Sequence, residues 1–292
     1  MRLSPILGII LYCLSFATYF TVQKILVGSG IPPVLLSALV YSGAAIFFSL
    51  YLGIWDRRSF VIKSKKGFLI AIAIALSSSV IADLLVLYGL KVGSSITWSL
   101  LLCSAPLITY LLAIPTLGEK FKFSKLTSVI VSIVGAIIII YVPGTGIDWL
   151  HGAPYFIAAV ALFSVANILS QLVFKYITAL QLTLIKLAST SIIMVSFVTL
   201  SGIKSTNINW VLVVINSLIL LSANVLVNYV IDKAGATYFS VGANMAPLFV
   251  TLLSIIFMST YPTWTQILGG VVIIISVFLF QRYDKRPIQT KI

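Results

Sequence analysis

Two stretches of this chain share one sequence pattern. Residues 82–112 read ADLLVLYGLKVGSSITWSLLLCSAPLITYLL, and residues 223–253 read ANVLVNYVIDKAGATYFSVGANMAPLFVTLL. With a shift of 141 residues, ten of the 31 aligned positions are identical. Leucine matches arise by chance in apolar helices, but the tyrosine pair Tyr88/Tyr229 and the Ala-Pro pairs at 105–106 and 246–247 carry more weight. The chain therefore contains an internal repeat.

The repeat lies in a chain that is too apolar to fold in water. Of its 292 residues, 60% are hydrophobic and 9% are charged, and the mean hydropathy is +1.16. A water-soluble domain keeps a charged outer layer, whereas a bilayer requires runs of about 20 apolar residues. Such runs fill the chain from end to end, so we expect a single membrane domain with no water-soluble appendage.

We predict an all-α membrane protein with ten transmembrane helices. The apolar runs are continuous rather than alternating, which favours helices over the strands of a β-barrel. The predicted spans are 4–23, 32–54, 67–88, 93–117, 124–142, 152–173, 179–201, 209–231, 236–258 and 263–281. Residues 1–146 would form one five-helix repeat, and residues 147–292 the second. Because five is odd, the second repeat would be inverted, which is typical of secondary transporters.

The positive charges predict the orientation. The formal net charge is +13, with 19 Lys and Arg residues in the chain. With residue 2 inside, 15 of these cations fall in cytoplasmic segments, Lys24, Lys91 and Lys204 fall outside, and Lys186 falls within a span. This bias follows the positive-inside rule, so the charge marks topology and not nucleic-acid binding. We expect a multi-pass protein of the cell (plasma) membrane with both termini in the cytoplasm.

The repeated motifs point to a known family. They are the tyrosines that close the third and eighth spans, the Ala-Pro pairs of the fourth and ninth spans, and Leu117-Gly118-Glu119 at the end of the fourth. Together with the five-plus-five helices, they resemble the EamA-like branch of the drug/metabolite transporter superfamily over the whole chain. Two departures are Ser259-Thr260, where that family often repeats Gly-Glu, and Ser128, where glycine is common. The resemblance implies movement, usually outward, of a small metabolite such as an amino acid, an amine or a nucleobase.

Asp83 is the only acid inside a predicted span. A charge at membrane depth costs at least about 2.5–3.5 kcal/mol, so this carboxyl must face a cavity or a partner, or be protonated. Two interpretations stay open. Asp83 is either a proton or cation site, with protons as the candidate coupling ion, or a structural acid held by neighbouring hydroxyls. Its counterpart in the second repeat is the uncharged Asn224.

Lys186 is the only cation well inside a predicted span. At ~1.5 Å per residue it lies about 10 Å from the cytoplasmic end of its helix, whereas Asp83 lies about 24 Å from that side. We therefore expect no direct ion pair between them and regard Asn224 as the better partner of Lys186. The lysine either lines the transport pathway or extends to the cytoplasmic interface.

The remaining candidates lie around two prolines in the middle of spans. Pro106 and Pro247 each remove a backbone donor, so they predict helix kinks, which either line a cavity or only serve packing. Aromatic rings mixed with small hydroxyl and amide groups suit a compact organic solute. The candidate substrate-binding residues besides Asp83, Lys186 and Asn224 are Tyr12, Tyr19, Trp98, Ser99, Cys103, Asn167, Gln171, Tyr238 and Asn244.

The leading hypothesis is a secondary transporter, or permease, that works by alternating access around a central cavity. The alternatives are a flippase for lipid-linked groups, a non-transporting membrane subunit and a membrane-embedded enzyme. The enzyme is the least favoured, because His151 is the only histidine and Asp83 has no acidic mate within the bilayer. We expect no catalytic residue, cofactor or metal. Substrate identity, direction of transport and oligomeric state stay open.

Overall fold

The computed structural model describes residues 4–118, 121–142, 146–147, 152–204 and 208–283, and these are mainly helical. The helices are α1 (Pro5–Gly28), α2 (Pro33–Trp55), α3 (Lys65–Val92), α4 (Ser95–Leu117), α5 (Phe123–Ile140), α6 (Ala153–Val173), α7 (Ala179–Ser201), α8 (Trp210–Ala234), α9 (236–258) and α10 (Trp264–Tyr283). A 3-10 turn at Arg57–Phe60 follows α2. Tyr141–Val142 pairs with Gly146–Ile147 as a short antiparallel ribbon, although the sequence analysis placed residues 141 and 142 in a span.

Polar caps fix where several helices begin. Ser4 accepts a hydrogen bond from the Leu7 amide (3.2 Å) ahead of α1, and Asn209 accepts one from the Leu212 amide (3.1 Å) ahead of α8. Thr178 and Gln181 form a reciprocal capping box at the start of α7. Such side chains satisfy backbone donors that have no partner within the helix, which is why these starts are readable from sequence.

The predicted spans agree with the helices to within a few residues at most ends, with two differences at the predicted outer side. Helix α1 continues to Gly28, so Lys24 lies inside the helix and not in a loop. Its ammonium donates to the carbonyls of Leu90 and Gly93 (2.7 Å to the latter). Lys91 likewise lies in the last turn of α3. Cations at a helix C-terminus stabilise its unpaired carbonyls, which explains these positions.

The helices form a multi-pass membrane protein. Within the described residues, eight of them (α1 to α4 and α6 to α9) are long and apolar enough to cross a bilayer. Helices α5 and α10 contain the shorter apolar stretches Leu126–Gly135 and Trp264–Ser276. Large apolar side chains also cover the outside, for example Leu200 (88% exposed) and Ile192 (66%). Apolar surface of this extent is suited to contact with lipid.

The helices pack in a pattern that links the two halves of the chain. The most extensive pairs are α5 with α10, α1 with α8, α2 with α7 and α3 with α6, and α4 packs against both α6 and α9. Small residues allow the closest approaches. A Cβ on Gly43 of α2 would lie 2.9 Å from the Cβ of Ser217 of α8, and one on Gly135 of α5 would lie 2.9 Å from the Gly269 carbonyl of α10. Close packing at small residues is the usual way in which helices associate in membranes.

Three helices are irregular near the middle of the fold. In α3 the residues Ala75–Ala82 form a π-helical segment that ends directly before Asp83. In α4 the turn at Cys103 and Ser104 tightens to i→i−3 hydrogen bonds of 3.1 and 3.0 Å just before Pro106. In α9 the 3-10 turn Ala243–Met245 precedes Pro247 in the same way. Segments of this kind widen or bend a helix and often accompany functional sites.

Candidate functional site

A cavity lies at the centre of the molecule, with about 960 Å³ of empty space including the part that is continuous with the outside. It is bounded by α1, α2, α3, α4, α6, α7, α8 and α9, so both halves of the chain contribute. Its aromatic walls are Tyr12, Phe16, Tyr19, Phe20, Tyr41, Phe163 and Phe239. Its polar groups are Ser78, Ser79, Ser99, Cys103, Asn167, Ser170, Lys186, Asn224, Asn228, Ser240 and Asn244.

Local irregularities bring polar residues to this cavity. The π-helical segment of α3 places Ser78 and Ser79 on the wall, and the Ser78 hydroxyl donates to the Ile74 carbonyl (2.7 Å). The tight turns of α4 and α9 place Cys103 and Asn244 there. A regular helix presents only one narrow stripe to a cavity, whereas these segments add residues to it. The bends therefore determine which polar groups a solute meets.

Thiol and hydroxyl side chains approach backbone carbonyls near both prolines. The Cys13 thiol of α1 lies 3.7 Å from the Gly242 carbonyl and 4.0 Å from that of Ala243 in α9. In the other half, the Ser164 hydroxyl of α6 lies 3.3 Å from the Ala105 carbonyl of α4. A proline leaves the carbonyl four residues earlier without its usual helical donor, which for Pro247 is that of Ala243. Neighbouring helices thus contact the backbone at both bends.

Asp83 lies behind the cavity wall and does not line the cavity. Its side chain is only 2% exposed, and its two carboxyl oxygens accept hydrogen bonds from the hydroxyls of Tyr19 (3.1 Å) and Ser37 (3.2 Å). The Gln23 amide in turn donates to the Tyr19 hydroxyl (2.5 Å). The cavity is therefore separated from the carboxyl by Tyr19, whose hydroxyl is held between Gln23 and Asp83.

Lys186 does line the cavity, and it is the only charged residue among the described residues that do so. Within the described part of the chain its ammonium makes no hydrogen bond, and no carboxylate oxygen lies within 4.0 Å of it. No direct ion pair joins Lys186 to Asp83, but the expectation that Asn224 is the partner of Lys186 is wrong, because the Asn224 amide donates to the Leu220 carbonyl instead.

Two asparagines on the wall have unsatisfied polar atoms. The Asn224 side chain donates to the Leu220 carbonyl (3.0 Å), which leaves its Oδ1 without a partner among the described residues. The Nδ2 of Asn244 also lacks a partner there. By contrast, Asn228 donates to the Thr183 hydroxyl (2.8 Å). Buried polar atoms are nearly always hydrogen-bonded, so these two unsatisfied atoms are exceptions among the residues of the wall, and neither has accessible surface toward the cavity.

Eight of the twelve predicted binding residues line the cavity, and four do not. The four are Asp83, Trp98, Gln171 and Tyr238. Trp98 is fully buried, and its ring packs against those of Phe20, Phe156 and Phe163. Gln171 accepts a hydrogen bond from the Ala236 amide (3.0 Å), and Tyr238 packs against the main apolar core. Trp98 and Gln171 therefore support the cavity wall from outside, and a binding role for the eight others stays a prediction.

Several lining residues were not predicted from the sequence. Asn228 is an amide inside α8 and could have been found by the reasoning that selected Asn224. Tyr41, Ser78 and Ser79 lacked such a signal, because serine and tyrosine are common in membrane helices. The positions of the two serines also depend on the π-helical segment of α3. Among the described residues, no group of three His, Cys, Asp or Glu side chains is placed to hold a metal ion.

The fold and its cavity define a class of protein, a polytopic helical membrane protein with a chamber lined by both halves of the chain. The EamA-like transporter family model matches residues 3–141 and again residues 150–282, so the chain belongs to the EamA-like transporter family and carries two copies of its repeat. This confirms the family resemblance noted from the sequence.

A solved crystal structure of a protein resembles the fold with a TM-score of 0.67. The two sequences are 14% identical, and the match covers 94% of this chain and 99% of that chain. At this identity the likeness shows the fold alone. A comparison with curated protein sequences gave no significant match.

Proposed function

We propose that this protein is a secondary transporter that moves a small organic metabolite across the plasma membrane by alternating access, as an exporter or exchanger. The observation that carries the proposal is the central cavity, which has aromatic walls and a few polar groups contributed by both repeats. Sites for small organic molecules generally combine apolar walls with a few placed polar groups. No catalytic role is assigned to any residue.

The helix contacts support an inverted repeat of five plus five helices. Each helix of one half has a counterpart five positions away in the other half, so that α1 corresponds to α6, α2 to α7, α3 to α8 and α4 to α9. When every helix is replaced by its counterpart, the pair α1–α8 becomes α6–α3, the pair α1–α9 becomes α6–α4 and the pair α2–α8 becomes α7–α3. All six pairs are in contact. The pairs α2–α7 and α5–α10 map onto themselves and also pack together. This correspondence is expected of two copies of one repeat, and an odd number of helices per copy inverts the second.

The repeat arrangement suggests how access alternates. A rocking movement of one repeat against the other would open the cavity first to one side and then to the other. The bends at Pro106 and Pro247 lie at the cavity, so they are suitable points for such movement. Both termini would be cytoplasmic, as the distribution of Lys and Arg predicts. The energy would come from an ion or solute gradient, with protons as the candidate coupling ion.

Flux in liposomes that contain only the purified protein tests this proposal. A metabolite library is first screened by thermal unfolding, because a solute that binds only the folded state raises its stability. Solutes that stabilise the protein are then loaded into the liposomes and their exchange is measured. We expect saturable exchange that depends on the protein. Binding without flux would favour a scaffold or subunit, conversion of the solute would indicate an enzyme, and movement of labelled lipid alone would indicate a flippase.

A further inference from the structure

The charged side chain that lines the cavity is positive. Lys186 lines the cavity, while Asp83 is 2% exposed and held behind the wall by the hydroxyls of Tyr19 and Ser37. A solute in the cavity therefore meets a cation directly and an anion only through Tyr19. This arrangement differs from the sequence-based expectation that Asp83 itself contacts substrate.

The cation also lacks a counter-charge at hydrogen-bonding distance. Among the described residues, no side chain forms an ion pair or a hydrogen bond with the Lys186 ammonium. Its charge is costly in a partly dry site, because buried ammonium groups are normally paired. The Asp83 carboxylate does not approach the ammonium within 4.0 Å. The position directly in front of the ammonium is thus favourable for an anionic oxygen.

Other wall groups limit what is attached to that anion. The Asn244 side chain also belongs to the wall, and the rings of Phe16, Phe20 and Phe239 enclose the apolar part of the cavity. Flat apolar surfaces of this kind suit a ring or a branched hydrocarbon. A small inorganic anion would leave these rings in contact with water.

We propose that the substrate is an organic anion with an apolar or ring-bearing body, and that Lys186 binds its anionic group. This inference rests on the proposed transport function and names the substrate class of the same cavity. A carboxylate and a phosphoryl group share the required chemistry. A simple amine is excluded as the preferred substrate, because its positive charge would face that of Lys186.

Four probes with a common benzyl group separate these chemistries in the full-length purified protein. They are phenylacetate, benzylphosphonate, the neutral phenylacetamide and the cationic benzylamine. Affinities are measured from thermal unfolding over a range of probe concentrations. We expect at least one of the two acids to bind at least about tenfold more tightly than the amide and the amine, since a charge-assisted hydrogen bond is worth that factor or more. The better of the two acids identifies the anionic group.

Three variants assign the effect to Lys186. Lys186→Gln should reduce the affinity for the acid by at least about tenfold and leave that for the amide within about twofold. Lys186→Arg keeps the positive charge and should therefore keep the preference for acids. If the Gln variant does not fold, the Arg variant still tests the role of the charge. Lys66→Gln, at an exposed lysine outside the cavity wall, is the matched control and should behave as the parent.

The inference is overturned if benzylamine binds as tightly as the acids, if neither acid binds at millimolar concentration, or if folded Lys186→Gln keeps the acid affinity. Liposome flux separates this result from the transport function. Flux of neutral or cationic solutes that does not depend on Lys186 would refute the inference and leave transport intact. Acid binding that depends on Lys186 without any flux would support the site and refute transport.

Discussion

Replacing the buried acid of α3 by its amide, Asp83→Asn, tests whether that group couples transport to protons. An ionised carboxyl costs about 2.5–3.5 kcal/mol at membrane depth. Its hydrogen bonds from Tyr19 and Ser37 offset this cost, at about 1.5–3 kcal/mol each for a charged acceptor. The amide removes the charge and keeps one acceptor oxygen. The variant therefore no longer has the cost of a buried charge, but its hydrogen bonds from Tyr19 and Ser37 are weaker. Because these two effects nearly cancel, we expect the free energy of unfolding to stay within about 2 kcal/mol of the parent value.

The transport properties should change more than the stability. Because Asp83 lies behind Tyr19, a bound solute does not touch it, so exchange between equal solute concentrations should continue. Accumulation driven by a proton gradient should be lost, and uptake should no longer respond to pH, because an amide cannot take up or release a proton as a carboxyl does. The ionisable groups that interact with the carboxyl are Tyr19 of α1, Tyr41 of α2 and Lys186 of α7, and none of them is altered in this variant.

The assay compares both transport modes in the same liposomes, with a thermal unfolding curve for each variant. Asp232→Asn is the matched control, because Asp232 pairs with Lys233 (3.2 Å) at the end of α8 and lies outside the cavity wall. If Asp83→Asn accumulates solute as the parent does and keeps the same pH profile, Asp83 is a structural acid. Loss of equal-concentration exchange as well would mean that the substrate reaches Asp83, contrary to the geometry.

Three further perturbations have clear outcomes. Trp98→Ala should reduce the free energy of unfolding by about 3–5 kcal/mol, because it removes a buried indole. Asn244→Ala should fold normally and weaken solute binding. Equal stability of the two variants would contradict the placement of Trp98 in the packed core and of Asn244 on the cavity wall. Gly89→Ala should lower the free energy of unfolding by about 1–3 kcal/mol, because the added Cβ overlaps the ring of Phe156. In the same unfolding assay Gly53→Ala should be neutral or slightly stabilising, because its Cβ meets no atom within 4 Å. A cysteine at position 145 should label from outside and one at position 122 only after permeabilisation, and external labelling at 122 would disprove the ten-span topology.

The candidate site was only partly predictable. An ionisable residue in an apolar run is conspicuous, so Asp83 and Lys186 were selected as candidates, as were Asn224 and both prolines; of these, Lys186 and Asn224 line the cavity. The sequence did not distinguish the roles of Asp83 and Lys186, because both are single ionisable residues within predicted spans. Trp98 and Gln171 were chosen for their chemistry, yet one packs among aromatic rings and the other accepts a hydrogen bond from the α9 backbone. Ser78 and Ser79 were missed because the π-helical segment of α3 changes which residues face inward.

The sequence by itself determined the membrane class, the helical content, most helix bounds and the duplication. These properties are local, since backbone groups in a bilayer must be satisfied within a helix and the polar caps adjoin the helix that they begin. Only the tertiary structure decided which side of each helix faces the cavity. Membrane helices are apolar both toward lipid and toward their neighbours, so the pattern that orients a water-soluble helix is weak here. Thus Lys186 lines the cavity while Tyr19 and Ser37, from two other helices, hold Asp83 behind its wall.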